Sequence, residues 1–288
     1  MNTGELRMMR RIATAYRALP LLCVAALLLQ VFLCGCARDK APTKAQSDDD
    51  VLRAMMTGIT EGIEELGRDL EATANELGES GLSGEEARLA LKKLCAKNSR
   101  SLIDCAAIDA DGIMVTVEPG SFRRIEGTDV SRHRVSKELS RTMEPVLSQV
   151  FFTAEKIAAI VFEWPVFSKD GVFMGAASAL LDPARFIEPL IRVATRFPVY
   201  SGWIAQPDGV MLYSPNPKLA GKNIFKDPYY RHIPGLVAMG HRIAAESLGR
   251  SIFRRPGVGQ AEFVQRLCLW GTVDVHNAKW RVILVKKI

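Results

Sequence analysis

Three Asp-Gly dipeptides, Asp111-Gly112, Asp170-Gly171 and Asp208-Gly209, each stand between two strand-like runs. Asp-Gly takes the positive φ of a tight turn at little cost, so each pair predicts a β-hairpin. The flanks agree: Ala106-Ala107-Ile108 and 113–117 around the first, 157–167 and 172–181 around the second, 202–205 and 210–213 around the third. Residues 251–253, 261–270 and 280–285 supply three more strands. Hairpins pair antiparallel, and the chain is therefore expected to form two antiparallel sheets interrupted by helical inserts.

Ahead of the hairpins lies a different period. Met55, Ile59, Ile63, Leu66, Leu70, Ala74 and Leu77 recur every three or four residues, which predicts a long amphipathic helix from Val51. Asp48-Asp49-Asp50 precedes it, where negative charge suits a helix N-terminus. Gly78 to Gly81 end it, and Ser83-Gly84-Glu85-Glu86 has the form of a capping box opening a second helix to about Lys97. Behind Pro183, the spacing of Phe186, Ile187, Leu190, Ile191 and Ala194 predicts a helix over 183–196, and the join between the sheets is expected near Phe197-Pro198. The class is α+β.

The N-terminus carries an export signal. Residues 18–34 are apolar and follow a basic segment holding Arg7, Arg10, Arg11 and Arg17. Leu33-Cys34-Gly35-Cys36 at its end resembles the lipobox of bacterial lipoproteins, which implies removal of residues 1–35 and acylation, palmitate included, of Cys36. An uncleaved N-terminal anchor is the other reading of the run. Residues 36–50 lack apolar anchors and read as a flexible tether. Either way the body is expected outside the cytoplasm, membrane-attached in the cell envelope and facing the periplasm or the exterior. Of six cysteines, Cys95, Cys105 and Cys268 then remain in an oxidising space; a Cys95–Cys105 disulfide and three reduced thiols are both open. The formal net charge of +6 falls to +3 once the leader is removed, leaving 34 basic and 31 acidic residues. That balance gives nucleic acid no support as a partner. At 48% hydrophobic and 24% charged residues, the chain has ample material for a folded core.

Together these features resemble the double Cache (PAS-like) extracytoplasmic sensor domain of chemoreceptors and sensor kinases. The resemblance rests on residues 127–134, 148–151, 164–171 and 175–179 for a membrane-distal module, and on 208–217 with 219–224 for a membrane-proximal one. It implies a long N-terminal helix and two tandem PAS-like antiparallel-sheet modules: helices over 51–100, a distal module over 101–196 and a proximal module over 197–288.

The same resemblance implies a small-molecule site in the distal module, between its sheet and a loop-helix insert. Members that bind amino acids hold the carboxylate with an Arg and the ammonium with an Asp. Here Arg132 or Arg134 stands for the Arg, no Trp-Tyr pair follows, Phe151 replaces a strand Tyr, and the late Asp position reads Leu180. An anionic or otherwise polar metabolite lacking an amine is the expectation, with Arg132, His133, Arg134, Phe151, Phe162 and Trp164 as ligand-binding residues beneath a basic flap. Phe162 and Trp164 share one strand face by the period of two, so they either line the pocket or fill the core, core being the favoured reading for Phe162. Glu163 takes the other face. In the proximal module, Tyr213, Asp227 and Tyr229 either line a second pocket or serve packing.

Motifs for enzymatic chemistry are missing. The histidines (His133, His232, His241, His276) form no helical zinc pair, and there is no nucleophile elbow or phosphate loop. Gly257-Val258-Gly259 begins like a dinucleotide fingerprint, but Glu262 stands where the third Gly belongs, so it reads as a hairpin turn. No enzyme, cofactor or metal is expected. Because the chain stops at its last strand without a second membrane helix, the resemblance implies a chemotaxis-like signal transduction role through a separate membrane partner. A structural or protein-interaction envelope lipoprotein, using the Cache fold without a small ligand, is the alternative.

Overall fold

The computed structural model describes residues 47–153, 157–195, 199–256 and 263–288. The leader, Cys36, most of the tether, the expected join at Phe197-Pro198 and the Gly257–Gln260 turn lie outside these residues.

Helix α1 runs Asp48–Ser80, starting three residues before the expected Val51. The reason is a cap that the apolar spacing does not reveal: Asp50 N donates to the Ser47 hydroxyl while the Asp50 carboxylate accepts from Ser47 N, a reciprocal capping box. The box expected at Ser83 does not form. Gly84 caps helix α2 (Glu85–Lys97) at φ 94° with no side-chain hydrogen bond.

The first sheet contains β1 (Leu102–Asp109), β2 (Met114–Glu118), β3 (Val146–Leu147), β4 (Phe151–Phe152), β5 (Ala158–Phe167) and β6 (Phe173–Leu181), in the order β2-β1-β6-β5-β3 with β4 paired to β5. A 3-10 turn (Gly120–Ile125) and helix α3 (Arg134–Thr142) form its insert. Helix α4 (Pro183–Ala194) follows, capped by the Asp182 carboxylate accepting from Ala184 N and Arg185 N. The second sheet contains β7 (Tyr200–Ala205), β8 (Met211–Tyr213), β9 (Gly249–Pro256), β10 (Phe263–Val275) and β11 (Ala278–Lys287), in the order β8-β7-β11-β10-β9. Helix α5 (Pro234–Ala245) lies in its insert. All pairings are antiparallel, and all three Asp-Gly hairpins form with their glycines at positive φ.

One apolar cluster runs behind both sheets. It joins the α1 stripe to Ile160, Phe162, Ala177 and Ala179 of the first sheet, to Ile204, Leu269, Val282 and Leu284 of the second, and to Ile187 and Ile191 of α4. The opposite face of each sheet has its own cluster, covered by its own insert. Helix α1 is thus a shared backing for both sheets, because its stripe is long enough to cover them in succession.

Cys95 and Cys105 form a disulfide between α2 and β1. Cys268 is free and buried, and that burial pushes its thiol up to about 12.

Candidate functional site

The insert-facing side of the first sheet is built from alternate residues of five strands. Register sets Val117, Ala106, Ser178, Glu163 and Val146 side by side in one row. Above them sits α3, whose Val135, Ser136 and Leu139 are buried. Val130, Ile108 and Ala176 complete the apolar part of the cluster. Small side chains at Ala106 and Ala176 let the helix come close to the sheet.

Glu163 is the exception in this layer. It is 2% exposed, and its Oε1 accepts one hydrogen bond, from the Ser136 hydroxyl at 3.2 Å. Its Oε2 is buried without a partner. Burial raises the carboxyl to about 7, partly countered by the Ser136 bond. Ser178, opposite Glu163 on β6, and Asp104, on the same face of β1, are also buried polar groups. The sheet therefore presents acid and hydroxyl groups to the underside of the insert.

The residues expected to line a pocket are not brought together. Phe162 and Trp164 face α1, on the side of the sheet away from the insert. A Cβ on Gly67 of α1 would lie 3.2 Å from the Trp164 ring and 3.5 Å from the Phe162 ring, and His276 packs on both aromatics with ring centroids 5.0 Å and 5.7 Å apart. Phe162 is fully buried there, the core-filling and not the pocket-lining one of the two readings open for its strand face. The reason is simple: α1 covers the face that carries the aromatics, and alternation then turns Glu163 toward the insert. Arg132, His133 and Arg134 are exposed at the start of α3, on the outer rim of the insert. Phe151 is 39% exposed on β4, next to Phe152, whose ring stands over Gly221 of the second sheet's loop.

One further basic residue of the insert, Arg123, has a structural partner, which it shares with Arg88 of α2. Glu118, 2% exposed, accepts from Arg88 of α2 at 3.1 Å and from Arg123, while Arg88 also reaches Glu126 at 3.0 Å. This network, centred on the buried Glu118, pins the start of the insert to α2.

The tip of the β10–β11 hairpin reaches the insert from the second sheet. Asn277, at φ 65°, accepts from Leu147 N at 3.0 Å and donates to Glu138 of α3 at 3.4 Å. Val150 N donates to Gln206 Oε1 at 2.9 Å. Sequence reasoning missed Glu163, Ser136 and Asn277. A mid-strand Glu between Phe162 and Trp164 was the available signal, and what it lacked was knowledge of which face the long helix would cover. Among the described residues there is no group of acidic, His or Cys side chains able to hold a metal ion, and no helix long and apolar enough to cross a membrane.

Residues 61–183 match the family described as "HK/GC/Chemotaxis protein-like, sensor domain". No curated protein matches the chain. Among solved structures, the extracellular ligand binding receptor from Desulfohalobium retbaense DSM5692 aligns with a TM-score of 0.68 at 26% identity, over 83% of this chain and 40% of that one. This chain thus spans less than half of that receptor's length. The ligand-binding domain of the Pseudomonas aeruginosa PAO1 amino acid chemoreceptor PctC, in complex with GABA, aligns with a TM-score of 0.60 at 15% identity, over 83% and 97% of the two chains. For the ligand-binding domain of the Pseudomonas fluorescens chemoreceptor CtaA, in complex with L-alanine, the values are 0.59, 13%, 83% and 95%.

Proposed function

We propose that this chain, which has the fold of the Cache-type extracellular ligand-binding domains, is an extracytoplasmic sensor that binds a small polar metabolite between the first sheet and its α3 insert. The observation that carries this is the unpartnered Oε2 of Glu163. A buried acceptor left without a donor costs about 1–3 kcal/mol. A ligand donor placed under α3 recovers that cost, which makes ligand binding and insert closure one event.

The chemistry of the site modifies the expectation from sequence. An acid does face the insert, from β5 rather than from the late position now occupied by Leu180. The ligand class that suits it carries an ammonium or hydroxyl donor for Glu163, together with an anionic group for Arg132 or Arg134 at the rim. Movement of α3 then reaches the second sheet through the Glu138–Asn277 bond, and a separate membrane partner reads the shift in population. Attachment to the membrane by acylated Cys36 keeps sensor and partner together.

A calorimetric screen of amino acids, amines, hydroxy acids and dicarboxylates tests the ligand. The expected hit loses at least tenfold in affinity in both Glu163→Gln and the Arg132→Ala plus Arg134→Ala variant. If no compound of these classes binds, or if a hit survives both changes, the site is wrongly placed. For the anchor, Cys36→Ser is expected to abolish incorporation of a fatty-acid analogue; continued labelling rules out the lipobox assignment.

A further inference from the structure

Under the second sheet, on the side away from α1, lies a small, partly open cavity of about 30 Å³ between the strands and α5. Its wall is built from Trp203 of β7, Met211 of β8, Leu236 and Met239 of α5, Phe253 of β9 and Ile283 of β11. It is unrelated to the expected second pocket at Tyr213, Asp227 and Tyr229. Tyr213 belongs to the cluster behind the sheet, Asp227 pairs with Lys222 at 2.8 Å, and Tyr229 is 48% exposed.

One residue of this wall carries a polar atom without a partner. The indole Nε1 of Trp203 is buried and donates to nothing, and in the same apolar cluster the fully buried Tyr230 hydroxyl is also without a partner. Buried donors are nearly always satisfied, so each exception asks for an occupant. Water is a poor one here. A buried water needs two to four polar partners, and apart from Trp203 the wall's only polar side chain is Gln206, whose Oε1 already accepts from Val150 N. An apolar body carrying a single acceptor atom satisfies both the wall and the indole.

From this we infer that the second sheet holds its own ligand site, separate from the one at Glu163, for a small and mainly apolar molecule with one hydrogen-bond acceptor directed at Trp203 Nε1. The space suits a compound of the size of a short-chain ketone only when the wall yields slightly. Met211 and Met239 supply that yield, because an unbranched thioether side chain repacks at low cost. Selectivity then comes from the indole N–H, and affinity from the apolar surroundings.

The test uses 2-butanone and its isostere 2-methylbut-1-ene, which has the same shape without the oxygen, titrated into the ¹⁵N-labelled protein. Butanone is expected to move the Trp203 indole N–H resonance saturably downfield, whereas the alkene leaves it in place. Trp203→Phe identifies that resonance by its loss; it is expected to weaken butanone about fivefold and to change the alkene by less than twofold. Ala244→Leu, which fills the cavity from α5, is expected to abolish binding of both while the amide spectrum stays dispersed. The site is refuted if butanone gives no saturable shift, if Trp203→Phe weakens both compounds equally, or if either compound still binds after Ala244→Leu. These readouts do not involve Glu163, so they stand or fall apart from the ligand site proposed for the first sheet.

Discussion

Phe162→Ala is expected to destabilise the protein by about 3–5 kcal/mol while leaving the ligand affinity of the folded protein unchanged. Phe162 is fully buried in the layer between the first sheet and α1, in contact with Trp164 and His276. Truncation removes the ring from a wall that α1 cannot close, since Gly67 marks where the helix already approaches the aromatics. His276 suffers next. Its imidazole is held below its ordinary value by burial, and losing the ring beside it lets water in. Urea unfolding followed by circular dichroism checks the prediction. A loss under 1 kcal/mol, or a selective loss of ligand binding, would return Phe162 to the pocket.

Glu163→Gln is expected to remove a pH dependence from stability. The native carboxyl titrates at about 7 against 4.5 for the exposed group, because burial disfavours its charged form. A raised carboxyl binds its proton more tightly in the folded state. Its full contribution to stability is therefore present below about pH 4.5 and is lost as pH rises through about 7, to a total of roughly 3 kcal/mol. Gln keeps the acceptor for Ser136 and has no charge to bury. The variant is expected to match the parent near pH 4.5 and to exceed it by roughly 3 kcal/mol at pH 8.5. The difference between the two proteins isolates Glu163 from every other titrating group. Equal stability of the two at pH 8.5 would mean that the carboxylate is solvated in solution, and the case for a buried acid under α3 would fail.

Both effects bear on a distinction that sequence patterns approach but do not complete. The alternation along 158–167 correctly separates Phe162 and Trp164 from Glu163, and the three Asp-Gly turns correctly place the hairpins. Alternation is symmetric, however: it states which residues share a face and not what that face meets. Aromatics on a strand are equally at home lining a pocket or backing a helix, and here they back α1. Likewise Arg132, His133 and Arg134 are visible as a basic run, yet their exposure follows from α3 burying Val135, Ser136 and Leu139 instead. Asn277 was beyond reach for a different reason. Its partners Leu147 and Glu138 lie 130 and 139 residues away, and no local signal encodes so distant a pairing.

What the sequence determined alone is local and periodic: the apolar stripe of α1, the strands with their tight turns, and the pairs of residues that point the same way. Those features depend on neighbours within one helical turn or one hairpin, where backbone sterics and side-chain spacing decide the outcome. Tertiary structure decided the rest. Laying one long stripe across both sheets consumed a face of each, and the remaining faces had to find other cover. That choice sent Glu163 beneath the first insert and Trp203 beneath the second, because burial on one side of a pleated strand dictates which side chains remain on the other.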